Sequence, residues 1–359
     1  MPLQKLQFRP GVNREGTTLA NEGGWFESDK IRFRSGYPEK IGGWVLDTGL
    51  SASTLQPTSG AYWGVCRSMW NWLNLSGYNL MSVGTNIKYY IQNGTNGSLY
   101  DVTPLRTTTT AGEVTFAATN GSKTITVTDV GHGAQAGDFV TYSGAVSLGG
   151  NITASILNAE FQVATYISSS QYTITASVAA NSSDSGNGGA AVVGAYQITT
   201  GNAVYTQNVG WGAGGWSGVT TGYTSTGWGA AAPAGLGIGV QLRLWSESNY
   251  GEDLIFNPRG GALYYWANAA SPNTFNRGQL LGPSASISTK SGTLTVDAYC
   301  PSVANIVMVS DASRFVIAFG CNDAVASSSV QNPMFVAWSD QEDITTWLPS
   351  ATNQAGSYT

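Results

Sequence analysis

Two clusters of carboxylates stand out in a chain with few charges: Glu252 and Asp253 in NYGEDL, and Asp340, Glu342 and Asp343 in WSDQEDITTW. Hydrolysis of a glycosidic bond needs only such a pair, one group as general acid and the other as base or nucleophile. Both clusters lie in turn-like text, where solvated turn carboxylates are the plainer reading. His132 is the single histidine, so a multi-histidine metal site is excluded and only a Ser-His-Asp arrangement is conceivable. No G-x-S-x-G elbow supports that arrangement, and the surrounding VGHGAQAGD reads as a turn. NGSKT at residues 120–124 lacks the first glycine of a phosphate-cradling loop and opens a strand, so it reads as a hairpin turn. Cys66, Cys300 and Cys321 are odd in number and show no CxxC spacing, which signals neither a disulfide framework nor a thiolate zinc site. The residues therefore predict no catalytic, cofactor-binding or metal-binding group.

The elements that hold these residues follow from composition. Of 359 residues only 10% are charged, while Gly reaches 46, Tyr 17 and Trp 12. That balance argues against long helices and for an all-β chain. A net charge of −5 and a pI near 4.9 exclude a nucleic-acid binder with a uniformly basic surface. The N-terminus has no apolar core of a signal peptide and no window approaches a membrane-spanning length, so synthesis and assembly in a cytoplasm are expected. Charge is concentrated at the start. Seven of the 16 basic residues (Lys5, Arg9, Arg14, Lys30, Arg32, Arg34 and Lys40) lie in the first 50 positions, interleaved with six acidic ones. This near-neutral pattern suits salt-bridged protein contacts better than capture of nucleic acid.

Residues 62–106 read as a meander of short aromatic and β-branched runs separated by Gly, Asn and Pro. A related cadence returns at residues 242–266 and 314–347, and the three together suggest blades of a β-propeller. Between residues 107 and 197 aromatics thin out and Lys123 is the only basic residue against five acidic ones. Its alternating runs (KTITVTDV, DFVTYSG, EFQVATYI, QYTITASV) predict an inserted β-sandwich or barrel with one helical turn at 154–158. Residues 201–239 are a Gly-rich stretch with Trp211, Trp216, Tyr223 and Trp228 regularly placed. These aromatics could stack on a sugar, but anchors packing a long loop or a subunit interface are favoured. The expected organisation is an N-terminal segment with the first blades over 1–106, the insert over 107–197, and the Gly/Trp-rich loop with further blades over 198–359.

The opening of the chain resembles the tail nozzle proteins of short-tailed bacteriophages, also called tail tubular protein B. The residues that carry this are FRPGVNRE at 8–15, ANEGGWFESDKIRFR at 20–34 and GYPEKIGGW at 36–44, with support from SVGTNIKYY, RLWSESNYGEDLIFNPRGGALYYW and FVAWSDQEDITTWLPSATNQAGSY. WSDQEDITTW also faintly resembles the Asp-box turn of sialidase-like propellers, without its glycine. The nozzle resemblance implies a non-enzymatic virion subunit with a propeller-like β-domain, in a family whose propeller needs more blades than the three read here. Copies of such a subunit, a hexamer in the family, form a ring below the portal and adaptor that retains viral DNA and conducts it during ejection. Implied partners are other copies, the head-to-tail connector, tail fibre or spike proteins and genomic DNA passing without sequence-specific binding; no cofactor is implied. Within that frame Arg9, Arg14, Lys30, Arg32 and Arg34 are expected to form salt bridges that pin the N-terminal segment to its own propeller or to an adjoining subunit. Trp25, Trp44, Trp211, Trp216 and Trp228 are expected as packing anchors. The competing expectation is a tail-associated propeller that binds or cleaves glycans.

Overall fold

In the computed structural model the described residues are 11–17, 19–42, 62–94, 97–199, 243–268 and 275–359. The chain divides into two compact units, Met1–Asp47 and Thr48–Thr359. The fold is all-β: the described residues form 25 strands in antiparallel sheets and a single four-residue helix.

In the first unit β1 (Ile31–Arg34) pairs with β2 (Tyr37–Lys40). Arg34 faces Tyr37 across a two-residue turn in which Ser35 and Gly36 both take positive φ, 51° and 84°. Two such residues in succession form the mirror-image turn whose twist matches a hairpin.

The second unit holds three four-stranded meanders. The first comprises β3 (Cys66–Leu73), β4 (Asn79–Thr85), β5 (Tyr89–Asn93) and β6 (Leu99–Asp101). Interposed before the second meander is a sandwich. One of its sheets contains β7 (Leu105–Thr108), β10 (Phe139–Ser143), β11 (Glu160–Gln162) and β15 (Val193–Gln197). The other contains β8 (Thr115–Ala118), β9 (Thr124–Thr128), β12 (Thr165–Ser168), β13 (Gln171–Thr175) and β14 (Asp184–Asn187), and α1 (Ala154–Leu157) crosses between β10 and β11. The alternation seen in the sequence is the cause: in TITVT and QYTIT the residues Ile125, Val127, Tyr172 and Ile174 are buried while the intervening threonines face outward.

The second meander is β16 (Trp245–Tyr250), β17 (Asp253–Pro258), β18 (Leu263–Trp266) and β19 (Gln279–Leu281). After the hairpin β20 (Ser286–Thr289) and β21 (Gly292–Thr295) comes the third meander, β22 (Ile306–Val309), β23 (Val316–Phe319), β24 (Val336–Trp338) and β25 (Gly356–Tyr358). It begins one strand earlier and ends one strand later than residues 314–347, because Ile306–Val309 and Gly356–Tyr358 are too short to carry a rhythm of their own.

The three meanders stack face to face, with their first strands adjacent in the order β3, β16, β22. Trp72, Leu80, Tyr89 and Ile91 of the first sheet meet Trp245, Leu254, Phe256 and Trp266 of the second. Tyr89 lies flat on Phe256, with ring centroids 4.1 Å apart and planes 2° from parallel. The backbone approaches closely here. A Cβ on Gly84 would stand 2.5 Å from the Trp245 ring and 2.4 Å from the Ser68 hydroxyl, so glycine is required. The other face of the second sheet, through Ile255, Leu263, Tyr265 and Leu281, buries Val307, Val309, Val316, Ala318 and Ala337 of the third. This is the stacking of propeller blades, with three in succession among the described residues.

Candidate functional site

The charged N-terminal residues make local contacts within their own unit. Arg14 donates from Nε to the Phe26 carbonyl at 3.1 Å, lies over the Phe26 ring at 5.1 Å and faces Glu27 at 3.7 Å. Arg32 pairs with Glu39 at 3.1 Å across the hairpin. Both pairs are solvent-exposed, in the class worth about 0.2–1 kcal/mol. Trp25 bridges to Val12 and sets its ring 5.9 Å from Phe33. Lys30, at φ 57°, opens the hairpin and accepts the Ile41 amide on its carbonyl at 2.9 Å, while Arg34 closes it. Arg9, Trp44, Trp211, Trp216 and Trp228 lie outside the described residues.

The hydrolytic candidates are held in turns. Glu252 follows Gly251 between β16 and β17. It pairs with Lys290 at 2.8 Å, accepts from the Asn268 side chain at 3.1 Å, and offers its backbone carbonyl to Trp72 Nε1 at 2.9 Å. The Lys290 contact, with further hydrogen bonds, holds its carboxyl below the ordinary value. Asp253 accepts the Tyr265 hydroxyl at 2.5 Å and the Asn268 amide at 2.7 Å, and burial pushes its carboxyl up. In the other cluster, Asp343 accepts the Thr345 amide at 2.8 Å and the Thr345 and Thr346 hydroxyls at 2.6 and 2.9 Å. Burial would raise that carboxyl, and these hydrogen bonds overcome it, so it sits low. Asp340 accepts the amides of Gln341 and Gln354, both at 2.8 Å, which ties the turn to the approach to β25. Glu342 stays exposed at φ 57°, a conformation glycine favours, and Trp347 closes the turn by donating from Nε1 to the Ile344 carbonyl at 2.9 Å.

His132 is buried as a turn residue. Its Nδ1 accepts the Ala134 amide at 2.9 Å, so its Nε2 carries the proton donated to the Ser168 carbonyl at 2.9 Å. NGSKT forms the β8–β9 turn with Gly121 at φ 78°. Cys66, Cys300 and Cys321 are free thiols; burial raises all three, Cys321 to about 11.

Three buried polar clusters escape the motif reading. At the root of the sandwich, Lys88 of β5 pairs with Asp101 of β6 at 2.7 Å and with Glu160 of β11. Arg277, just before β19, reaches Asp101 at 3.6 Å and Glu160 at 3.4 Å, and Gln197 of β15 donates to Glu160 at 2.9 Å. Lys88 is 1% exposed, Asp101 6% and Glu160 8%, and the Lys88 ammonium also lies 4.4 Å from the Phe139 ring centroid. Two cations and two carboxylates thus balance where sandwich, first sheet and second sheet meet.

Between the first and second sheets, Glu247 of β16 accepts the hydroxyls of Ser68 at 2.5 Å and Ser82 at 3.2 Å, and the buried Tyr89 hydroxyl lies beside it. Burial pushes its carboxyl up, the hydroxyls opposing, and among the described residues no cation pairs with it. Inside the sandwich, Tyr196 donates to Asp129 at 2.5 Å, so Tyr172 must donate to Tyr196, 2.7 Å away, and Tyr142 to Tyr172. Burial pushes the Tyr172 hydroxyl up to about 12 and raises those of Tyr142 and Tyr196 as well. The clue to these groups was a charge inside a strand-like run, as in NIKYYIQN, EFQVATYI and LRLWSESNY, but a run does not name its partner. Among the described residues no group of three His, Cys, Asp or Glu side chains is placed to hold a metal, and no helix is long and apolar enough to cross a membrane.

No protein-family model matches the chain, and no curated protein matches it. A solved structure described as phage phi92 endosialidase is similar at 14% identity and a TM-score of 0.23, covering 86% of this chain. The match spans 39% of that protein's length.

Proposed function

We propose that the chain is a non-enzymatic structural subunit of a bacteriophage tail nozzle. In this reading copies form a ring, a hexamer if it follows the family it resembles, that extends the channel below portal and adaptor, retains packaged DNA and conducts it during ejection. The protein resides in the short tail of the virion, is assembled in the host cytoplasm, and contacts the adaptor and the tail fibres or spikes. The resemblance of residues 8–44 supports the family. The observation that carries the choice of a structural over a hydrolytic role is that Glu252, Asp253, Asp340 and Asp343 each fasten their own turn or a neighbouring element. A net charge of −5 suits a channel wall, because a wall that neutralises few phosphates releases few counterions and lets DNA slide. Electron microscopy of the purified protein and of antibody-labelled virions tests the reading. A ring, and label below the portal, are expected; a monomer that cleaves host polysaccharide and is absent from the tail overturns it.

One observation favours the glycan reading as the second choice. The adjacent carboxyls of Glu252 and Asp253 are pushed in opposite directions, the pattern of an acid and its partner. Lys290, the partner of Glu252, lines a cleft of about 450 Å³ with Asn276, Arg277 and Gln279. Polysaccharide cleavage by the wild type that is lost in Glu252→Ala would establish that alternative.

A further inference from the structure

The ionic cluster at the root of the sandwich brings an amine, an acyl group and a proton carrier into contact. The Nζ of Lys88, directly before β5, touches Glu160 Oε1 of β11 and lies 2.7 Å from Asp101 Oδ2 of β6. None of the three side chains is more than 8% exposed. The Phe139 ring, its centroid 4.4 Å from Nζ, walls off the ammonium, and the Trp63 ring packs edge-on against Phe139 with centroids 6.1 Å apart. Desolvation of this kind is what turns a lysine into a nucleophile, because it disfavours the charged form.

The two carboxylates are held differently. Glu160 Oε2, the second oxygen of its carboxyl, accepts from Gln197 Nε2 at 2.9 Å and faces Arg277 Nη2 at 3.4 Å. Donors on that oxygen are what a carbonyl carbon under attack requires, since the negative charge gathers there. Asp101 Oδ1 accepts the Thr103 amide at 3.0 Å, with Arg277 Nη1 3.6 Å away, which leaves Oδ2 on the Lys88 ammonium. Burial would raise the Asp101 carboxyl, but Lys88 and Arg277 overcome it and hold it below its ordinary value. A carboxylate kept ionised resists attack by an amine and stays ready to take a proton.

We propose that the Lys88 amine condenses with the Glu160 carboxyl to form an amide cross-link between the first sheet and the sandwich. Asp101 Oδ2 takes a proton from the Lys88 ammonium, and the freed lone pair on Nζ forms a bond to Glu160 Cδ. The electron pair of the carbonyl moves onto Oε2, where Gln197 and Arg277 hold it. It returns as the Cδ–Oε1 bond breaks, and Oε1 leaves as water with two of the three ammonium protons, both relayed by Asp101, which ends ionised. An ammonium and a carboxylate thus give one amide and one water, with no other reactant. The product suits the site, because two buried charges vanish while Asp101 and Arg277 remain as a one-to-one pair. Before the bond forms, the same groups are the ion cluster. Lys88 and Glu160 are 72 positions apart, so the bond closes a long loop and restricts the unfolded chain as a disulfide does. The reaction occurs once within one chain, without turnover, and does not depend on the assembly that the chain enters.

The test is intact mass spectrometry of the denatured 359-residue chain, followed after purification until the mass stops changing. The wild type is expected to end lighter by one water, and its proteolytic digest to contain a branched peptide that joins Lys88 to Glu160. Lys88→Met has no amine to give and is expected to keep its full mass. Asp101→Asn keeps the shape of the side chain but removes the proton carrier, so it is expected to cross-link at least about a hundredfold more slowly, with circular dichroism confirming its fold. A wild type that keeps its full mass overturns the proposal, and this result needs no variant to fold. A bond from Lys88 to Asp101 overturns the choice of Glu160 as the acyl group. Cross-linking of Asp101→Asn at the wild-type rate overturns the part given to Asp101.

Discussion

Replacing Lys88 with Met tests whether the buried ionic cluster is what fixes the sandwich on the blades. Lys88 is 1% exposed, and its ammonium sits 2.7 Å from Asp101 and against Glu160. Methionine keeps most of the side-chain volume and removes the charge. Asp101 and Glu160, 6% and 8% exposed, are then left to share Arg277 at 3.6 and 3.4 Å, one cation for two buried carboxylates. Breaking a buried pair by deleting one partner costs about 3–5 kcal/mol, because the remaining charge keeps its desolvation cost without its compensation. Against a typical total of about 5–15 kcal/mol this is a large fraction. The assay is urea unfolding at pH 7, extrapolated to water and followed by both tryptophan fluorescence and circular dichroism. Since Lys88 and Glu160 lie on different parts of the fold, the two signals should also cease to coincide as the sandwich and the blades unfold separately.

The double variant Lys88→Met with Glu160→Gln restores a one-to-one balance of Asp101 and Arg277. It should lose less than the sum of the single variants, with a coupling of about 1–3 kcal/mol. The pH dependence has a definite sign. Burial would raise the Asp101 carboxyl, but Lys88 and Arg277 overcome it and hold it below its ordinary value. A depressed folded pKa gives stability that is present above the unfolded value, near 4, and is lost as pH falls through the folded one. The wild type should therefore lose this contribution only in strong acid, and Lys88→Met should lose less there. A cost for Lys88→Met below about 1 kcal/mol, or strict additivity in the double variant, would refute the reasoning.

Three further outcomes are expected. Glu247 has a raised carboxyl, so its contribution is present below the unfolded pKa and lost as pH rises through the folded one; Glu247→Gln should melt higher than wild type at pH 8 and converge with it near pH 4, and a variant less stable at both would contradict this. Asp297 accepts the amides of Tyr299, Trp347 and Leu348 at 2.9, 2.6 and 2.9 Å, so Asp297→Ala should cost at least ~2 kcal/mol in denaturant titration by leaving those donors without it. Tyr172→Phe removes the acceptor of the Tyr142 hydroxyl and the donor to Tyr196, and should cost about 1–3 kcal/mol in thermal unfolding, with no change if the hydroxyl chain contributes nothing.

What was legible in the sequence follows from range. The sandwich strands were readable because a period of two, as in TITVT, is a local consequence of having one face buried. The first meander was readable because its turns, such as Asn86-Ile87 between β4 and β5, separate an apolar run from an aromatic one; the Thr85 hydroxyl closes that turn by accepting the Lys88 amide at 2.8 Å. The third meander was caught only at its middle, since strands as short as Gly356–Tyr358 carry no period. The Asp340–Asp343 turn was readable as a turn, while its role in holding Gln354 was not. Least legible were the buried clusters. Lys88 and Glu160 are 72 positions apart, and Ser68 and Glu247 179 apart, so only the folded chain brings them together.

The unit that contains the sheets joins its parts by two physically different kinds of contact, and the difference bears on what each joint fixes. The sheets meet through large flat rings, such as Tyr89 on Phe256, which supply area without a strong preference for one lateral position. The sandwich meets the sheets through charges whose geometry is exacting, because a displacement of an ångström or two would leave Asp101 or Glu160 buried without a cation. Stacking can thus repeat from one sheet to the next. The ionic joint cannot be repeated, since it needs Lys88, Asp101, Glu160 and Arg277 together. A chain built this way fixes the sandwich at one place on the stacked sheets, while the sheets themselves meet by apolar packing that tolerates repetition.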